Sequence, residues 1–249
     1  MKTNLTKIVA TTLILSIAAY LSAMAAEPCS CCVEPNTLTD KEKTDGWKLL
    51  WDGKTGSGWK SIKAEAFPEK GWDIKDGVLT VLGKIGGDIL TVEKFSDFEL
   101  KLEFKLTKAA NSGIKYFLDE EAATVKKTGL GPEYQILDDA NHPDATKGTA
   151  GNHTLGSLYD LITASADKPA KPVGEWNEAR IVAKGKHVEH WLNGKKVVEF
   201  ERGSPEYREL VAKSKYKNTK NFGEGAETPI LLQDHNDPVS YKNIKIRKL

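Results

Sequence analysis

The sequence predicts an all-β fold: a single-domain jelly-roll sandwich with one short helix near residues 205–214. Three observations predict it. Short alternating segments follow one another from Trp47 onward, two of them turn on Asp-Gly or Asn-Gly pairs, and one stretch alone reads as a helix. Many short strands with turn signals and almost no helix are the pattern of a β-sandwich.

The elements follow in chain order. "WDIKDGVLTVL" places apolar runs on either side of Asp76-Gly77, a hairpin signal. "DFELKLEFKL" alternates most cleanly, with Phe98, Leu100, Leu102, Phe104 and Leu106 on one face and Asp97, Glu99, Lys101, Glu103 and Lys105 on the wet one. "ARIVAKG" supplies a strand, and "HVEHWLNGKKVVEF" turns at Asn193-Gly194. Ser204 can cap the helix and Pro205 suits its first turn, with Tyr207, Leu210 and Val211 along one side. "PILLQDH" and "VSYKNIKIRKL" complete the strands.

Three segments divide the chain. Lys2 and Lys7 precede an apolar run from Ile8 to Leu21, and "SAMAA" supplies small residues for cleavage, so 1–26 reads as a secretory signal peptide. That run is short for a membrane span, and the mature chain is expected to be soluble, periplasmic or extracellular. Residues 27–44 read as a flexible leader carrying Cys29, Cys31 and Cys32, and 45–249 as the domain. An odd number of thiols in an oxidising compartment leaves a partner disulfide or a metal conceivable, but no second cluster completes a zinc site. Thirty-six basic against thirty-five acidic residues argue against a nucleic-acid partner. The basic run Lys213–Lys220 reads as a solvated loop after the helix.

Four segments break the wet-face rule. "SGIKYFL" sets Lys115 opposite Ile114 and Tyr116; "GPEYQILDD" puts Glu133 and Gln135 on one side; "GSLYDLI" pairs Ser157 with Tyr159; "PILLQDH" pairs Gln233 with His235. Together they suggest a concave sheet face lined with hydrogen-bonding groups, the surface sugar hydroxyls need. Trp72, Tyr159, Trp176 and Trp191 could stack on a sugar ring, although any one of them also fits the core. Lys115 and Glu133 also fit a cross-strand ion pair, and Asp138-Asp139 a turn cap. His142 and His153 sit in polar loops, and His190 lies opposite Glu189 and Trp191 on its hairpin. His235, after an apolar strand, is placed to act as an acid or base near neutrality. No HExxH, CxxC, GxSxG or glycine-rich phosphate loop occurs, and Glu-x-Gln differs from the paired acids of an ordinary glycosidase.

In order along the chain, "WKLLWDGKTGSGW", "GWDIKDGVLTV", "DFELKLEFKL", "NSGIKYF", "GPEYQILDD", "GSLYDL", "GEWNEARIV", "VEHWLNGKKVVEF", "ILLQDH" and "VSYKNIKIRKL" resemble the 3-keto-disaccharide hydrolase domain, long a domain of unknown function. The likeness runs from about Trp47 to Leu249. It implies a concanavalin A-like jelly roll and cleavage of glycosides already oxidised to a ketone at C3. Such cleavage needs one base for the C2 proton, donors for an enolate oxygen and an acid for the leaving group.

The resemblance fixes motifs more than roles; we expect His235 or Glu133 as the base or acid, and Lys115 and Gln135 as donors to the enolate oxygen. Asp138, Tyr159 and Gln233 orient the sugar, with Trp176, Trp191 and His153 as further substrate contacts. Position 115 departs from the many relatives that carry Arg there, so the charge is kept and the bidentate fork lost. No cofactor is required; a divalent ion could use Asp138, Asp139 and His153. The expected partner is the 3-keto-glycoside, with a separate sugar 3-oxidoreductase upstream, since the chain has no nicotinamide-binding motif. The competing readings are a lectin-like carbohydrate-binding module and a laminin-G-like interaction domain. The ionisable set Lys115, Glu133 and His235 favours the enzyme.

Overall fold

Two-residue turns set the register of the larger sheet. In the computed structural model, which describes residues 34–83 and 86–249, Asp76 and Gly77 both take positive φ (51° and 72°), as do Asn193 and Gly194 (46° and 81°). Positive φ at both positions matches the right-handed twist of the flanking strands. The strands are β1 (Lys48–Leu49), β2 (Trp59–Ser61), β3 (Trp72–Lys75), β4 (Val78–Val81), β5 (Ile89–Thr91), β6 (Phe98–Leu106) and β7 (Asn111–Lys115). They continue with β8 (Glu133–Leu137), β9 (Trp176–Lys184), β10 (His187–Leu192), β11 (Lys195–Glu201), β12 (Leu231–Leu232) and β13 (Val239–Lys248).

All pairings are antiparallel, in two sheets packed as a jelly-roll sandwich. One has eight strands in the order β11-β10-β9-β6-β13-β4-β3, with β1 also paired to β13; the other has five, β2-β5-β12-β7-β8. Their inner faces bury Phe98, Leu100, Phe104, Tyr116, Tyr134, Ile136, Ile181 and Tyr241 in one apolar cluster. Two polar links cross it. Ser112 Oγ meets the Gln233 carbonyl at 2.7 Å and Tyr241 Oη at 2.6 Å. His190 Nδ1 lies 3.1 Å from the Gly156 carbonyl, which can only accept, so Nε2 is the acceptor for Tyr116 Oη at 2.5 Å. Burial pushes His190 down to about 4.

The sheets differ in what covers them. β6, β9 and β10 alternate buried and partly exposed residues, as a sheet with one wet face should. β5, β8 and β12 are buried throughout, and so are four of the five residues of β7. A small second apolar cluster, Ile62, Leu90, Leu118 and Leu231, explains half of this. It packs with Ala123 of α2 (Glu120–Thr124), a short helix capped by Asp119. Gly156–Tyr159 covers another part by running alongside β8, where Leu158 bridges Tyr134 and Tyr159 N donates to the Glu133 carbonyl.

Two sequence expectations change. The domain begins before residue 45: Asn36 and Asn243 exchange hydrogen bonds of 2.6 and 2.8 Å, and α1 (Asp40–Thr44) forms behind a Thr39–Glu42 capping box, with Glu42 paired to Lys245 at 2.7 Å. The last part of the expected leader is therefore docked. The expected helix is present as α3 (Pro205–Lys213), capped by Ser204 with Tyr207 and Val211 buried, but α1 and α2 accompany it. Both span five residues, too short for an amphipathic period to show. The signal peptide and Cys29, Cys31 and Cys32 lie outside the described residues. No helix among the described residues is long and apolar enough to cross a membrane.

Candidate active site

Register brings the unusual residues together on the outer face of the five-stranded sheet. Lys115 is opposite Glu133, Gly113 opposite Gln135, and Leu231 opposite Lys115, while Gln233 N continues the pairing to the Gly113 carbonyl. Alternation then sends Ile114, Tyr134 and Leu232 into the core and Lys115, Glu133, Gln135 and Gln233 outward. Gly113 leaves room for the Glu133 carboxylate, which a Cβ at this position would force aside.

At the centre, Glu133 Oε2 lies 3.5 Å from Lys115 Nζ, with the side chains only 5% and 12% exposed. Lys115 also donates to the Gly129 carbonyl at 3.0 Å. The Gln233 amide, oriented by its neighbours, donates to Glu133 Oε1 and accepts from Lys115, each at 3.2 Å. Gln135 differs: it is fully buried, and neither end of its amide meets a protein partner. Burying such an amide unsatisfied costs on the order of 1–3 kcal/mol. A buried unpaired group of this kind suits a functional site better than a stabilising one.

A second set borders the first. Tyr159 donates to Asp144 Oδ2 at 2.9 Å and stacks on His153 with ring centroids 4.2 Å apart. His153 in turn lies between Asp144 (3.2 Å) and Asp160 (3.1 Å). Burial and donation to Asp144 raise the Tyr159 hydroxyl far above its ordinary range. Burial would raise Asp144 too, but the Tyr159 hydrogen bond and the nearby His153 outweigh it and hold the carboxyl low. Asp88 moves the other way: desolvation raises it, with Glu133 and Asp234 adding to the rise. The ammonium of Lys215 lies 4.1 Å from the Tyr159 ring centroid.

Several sequence candidates lie elsewhere. Trp176 and Trp191 are on the outer face of the eight-stranded sheet, in register with Lys105 and Arg180, so they cannot stack on a sugar held at Glu133. Lys105 and Lys242 lie over Trp176, and Arg180 over Trp191. Trp72 is core, donating to the Gly87 carbonyl. Asp138 is a turn cap: it accepts from Ala109 N, Ala140 N and Asn141 Nδ2, which leaves it little capacity to orient a substrate. Asp139 takes Leu155 N and Lys168, and no ligand group combines Asp138, Asp139 and His153 among the described residues.

His235 stands at the rim, 47% exposed, with Nδ1 3.7 Å from Asp237. With His142 it could form a His-His-Asp ligand set. However, His142 Nδ1 accepts from Asp144 N at 3.1 Å, so the neutral ring carries its proton on Nε2, which faces Asp237 and cannot bind a metal. A cleft of about 710 Å³, lined among others by Lys60, Leu90, Leu118, Lys127 and Thr228, does not include Lys115, Glu133, Gln135 or Gln233.

Sequence reading missed Asp88, Asp144, Asp160 and Lys215. Lys215 was hidden in the basic run after α3; its one distinguishing signal is the adjacent Tyr216, a buried aromatic inside a stretch that otherwise reads as solvated.

A sandwich with an acid, two amides and a lysine converging on one sheet face has the hydrogen-bonding groups that sugar hydroxyls require. The comparisons make it specific. Residues 46–247 match the 3-keto-alpha-glucoside-1,2-lyase-like domain family, and the chain belongs to it. It is 36% identical over 243 residues to the 3-keto-disaccharide hydrolase of Bacteroides thetaiotaomicron, covering 87% of this chain and 83% of that protein. Two candidate glycosyl hydrolases of Parabacteroides distasonis, known as crystal structures, share the fold. One is 33% identical with a TM-score of 0.78, covering 87% of this chain and all of the other; the second is 30% identical with a TM-score of 0.64, covering 82% and 99%.

Proposed function

We propose that this enzyme cleaves 3-keto-glycosides, including 3-keto-disaccharides, by elimination across C1–C2 followed by addition of water. Membership of the lyase-like family and the name of the Bacteroides relative support the substrate class. The structural observation that carries the reading is the unpaired buried amide of Gln135 beside a carboxylate flanked by Lys115 and Gln233.

Each residue then has a task. Glu133 removes the C2 proton, and the C–H electron pair forms the enolate with the C3 oxygen. Gln135 donates to that oxygen, and the Lys115 charge stabilises it from below the face. Collapse of the enolate restores the ketone, forms the C1–C2 double bond and expels the glycosidic oxygen with its electron pair. Water then adds at C1, and Glu133 returns its proton to C2, giving the free 3-keto sugar. Tyr159 and Gln233 hold the ring. Glu133 is preferred to His235 as base because His235 is exposed at the rim and turned to Asp237.

The substrate must come from an oxidation of the sugar C3 hydroxyl, carried out by a different catalyst. The positively charged start, apolar run and small residues of the first 26 positions support action outside the cytoplasm. The test is incubation with a 3-keto-disaccharide and with its unoxidised parent, following release of the 3-keto monosaccharide. Cleavage of the ketone alone is expected, with a transient enone. If neither is cleaved and both bind, the chain is a non-catalytic carbohydrate-binding module.

A further inference from the structure

We infer that Lys215 is the general acid that protonates the departing glycosidic oxygen; this rests on the elimination chemistry proposed above. A sugar alkoxide is a poor leaving group near neutral pH, so its expulsion calls for a proton donor within reach. Four other donors of this face are committed. The ammonium of Lys115 faces Glu133, Gln233 and the Gly129 carbonyl. Tyr159 gives its one hydroxyl proton to Asp144, His153 is held between two aspartates, and His235 faces Asp237.

Two protonated groups of this patch make no hydrogen bond or ion pair with the described residues, the Lys215 ammonium and the Tyr216 hydroxyl; burial beside Glu133 raises the hydroxyl far above its ordinary range, which leaves the stronger acid to Lys215. Its ammonium rests on the rings of Tyr159 (4.1 Å) and Tyr216 (5.1 Å). Its backbone is fixed on both sides. Lys215 N donates to Asp160 Oδ2 at 2.7 Å, Ser214 Oγ donates to the Val211 carbonyl at the end of α3, and Tyr216 stacks on Phe222 at 4.0 Å. A flexible stem on an anchored backbone can sweep over the sheet face while its root stays in place. Tyr159, whose ring the ammonium covers, donates its backbone N–H to the Glu133 carbonyl at 3.0 Å, which puts the acid and the base on the same patch. Partial desolvation lowers the amine below its ordinary value and makes its proton easier to give; Glu133 opposes that drop, Lys115 adds to it, and Asp160 and Asp144 oppose it further.

The protons balance over the cycle. The ammonium of Lys215 gives one to the leaving oxygen as the C1–O bond breaks. The resulting amine takes one from the water that attacks C1, while Glu133 returns its own to C2. One water is consumed and both residues are restored.

Lys215→Met and Lys215→Arg test this with two substrates, a 3-keto-disaccharide and the 3-keto-glucoside of 4-nitrophenol, whose anion leaves without a proton. Lys215→Met should lower kcat on the disaccharide by about 100-fold and on the nitrophenyl substrate by less than about fivefold. Lys215→Arg keeps the charge without a transferable proton and should behave in the same way. In the wild type, kcat on the disaccharide should fall as pH rises through the lysine's titration, and that limb should disappear in both variants. Equal losses on the two substrates, or recovery of disaccharide turnover by Arg, would overturn the assignment and leave the elimination reading standing. Failure of the wild type on both ketosugars would remove that reading, and this assignment with it.

Discussion

The outer faces of the two sheets carry similar residue types with opposite arrangements. On the eight-stranded sheet most charges near the centre have partners, Glu178 being an exception: Glu99 takes Arg180 at 2.5 Å and Arg247 at 2.6 Å, Glu103 takes Lys242, and the tryptophans lie under lysines or arginine. On the five-stranded sheet Glu133 is held by two side chains that can move, Gln135 is held by nothing, and Lys215 rests on aromatic rings. Complete pairing gives solubility and fixed geometry; incomplete pairing leaves hydrogen-bonding capacity for a ligand. What separates the structural polar face from the proposed reactive one in this molecule is how much of its polarity is already paired.

The comparison can be broken most directly at Glu133. Glu133→Gln keeps the size and the packing and should reduce turnover of a 3-keto-disaccharide by roughly 10²–10⁴-fold, with the thermal midpoint little changed. Steady-state kinetics beside a melting curve reads both, and near-wild-type turnover would move the base elsewhere.

Between the faces lies His190, whose effect belongs to stability. Its pKa falls from 6.5 in the unfolded chain to about 4 in the fold, so the folded state favours the neutral ring. The contribution is fully present above pH 6.5, is lost as pH falls from there toward 4, and amounts to roughly 3 kcal/mol in all. Urea titrations at several pH values should show this slope in the wild type and lose it in His190→Gln, which cannot titrate.

Gln135→Leu sharpens the contrast within one side chain. Turnover should drop by about tenfold through loss of a donor to the enolate, while stability holds or rises by about 1 kcal/mol as an unsatisfied buried amide is removed. A parallel loss of both would make Gln135 a structural residue. The smallest effect should come from Trp176→Ala, with KM for the ketosugar changing by less than about twofold, since its ring serves Lys105 and Lys242 on the far sheet. A KM that rises with this substitution would put substrate on the wrong face.

The sandwich was legible because period-two alternation and Xaa-Gly turns are local signals. "DFELKLEFKL" and the turn at Asn193 describe their own surroundings, and the structure has them as read. Membership of the family was legible too, from the order of its motifs. Alternation also gave the facing of Lys115, Glu133, Gln135 and Gln233. It could not say which sheet a residue faces outward from, so Trp176 and Trp191 looked equivalent to Tyr159. Nor could it foresee the cover. β8 appears irregular as a sequence because Gly156–Tyr159, more than twenty residues away, runs along its edge. Asp144 comes from a 3₁₀ turn (Pro143–Thr146) and Asp160 and Lys215 from loops, and their convergence is set by tertiary packing alone. The docking of Asn36 escaped notice for the same reason, its partner lying 207 residues away.

Gly113 leads to a different kind of control over the reaction. The carboxylate of Glu133 occupies the volume that any side chain at position 113 would claim, so the reach of the proposed base is set by one missing carbon on the adjacent strand. The identity of the acid and its position are therefore encoded at separate residues. Adding a methyl group at 113 would leave every charge on the face in place and still shift the aim of the carboxylate, so this enzyme's chemistry can be detuned without touching a polar atom.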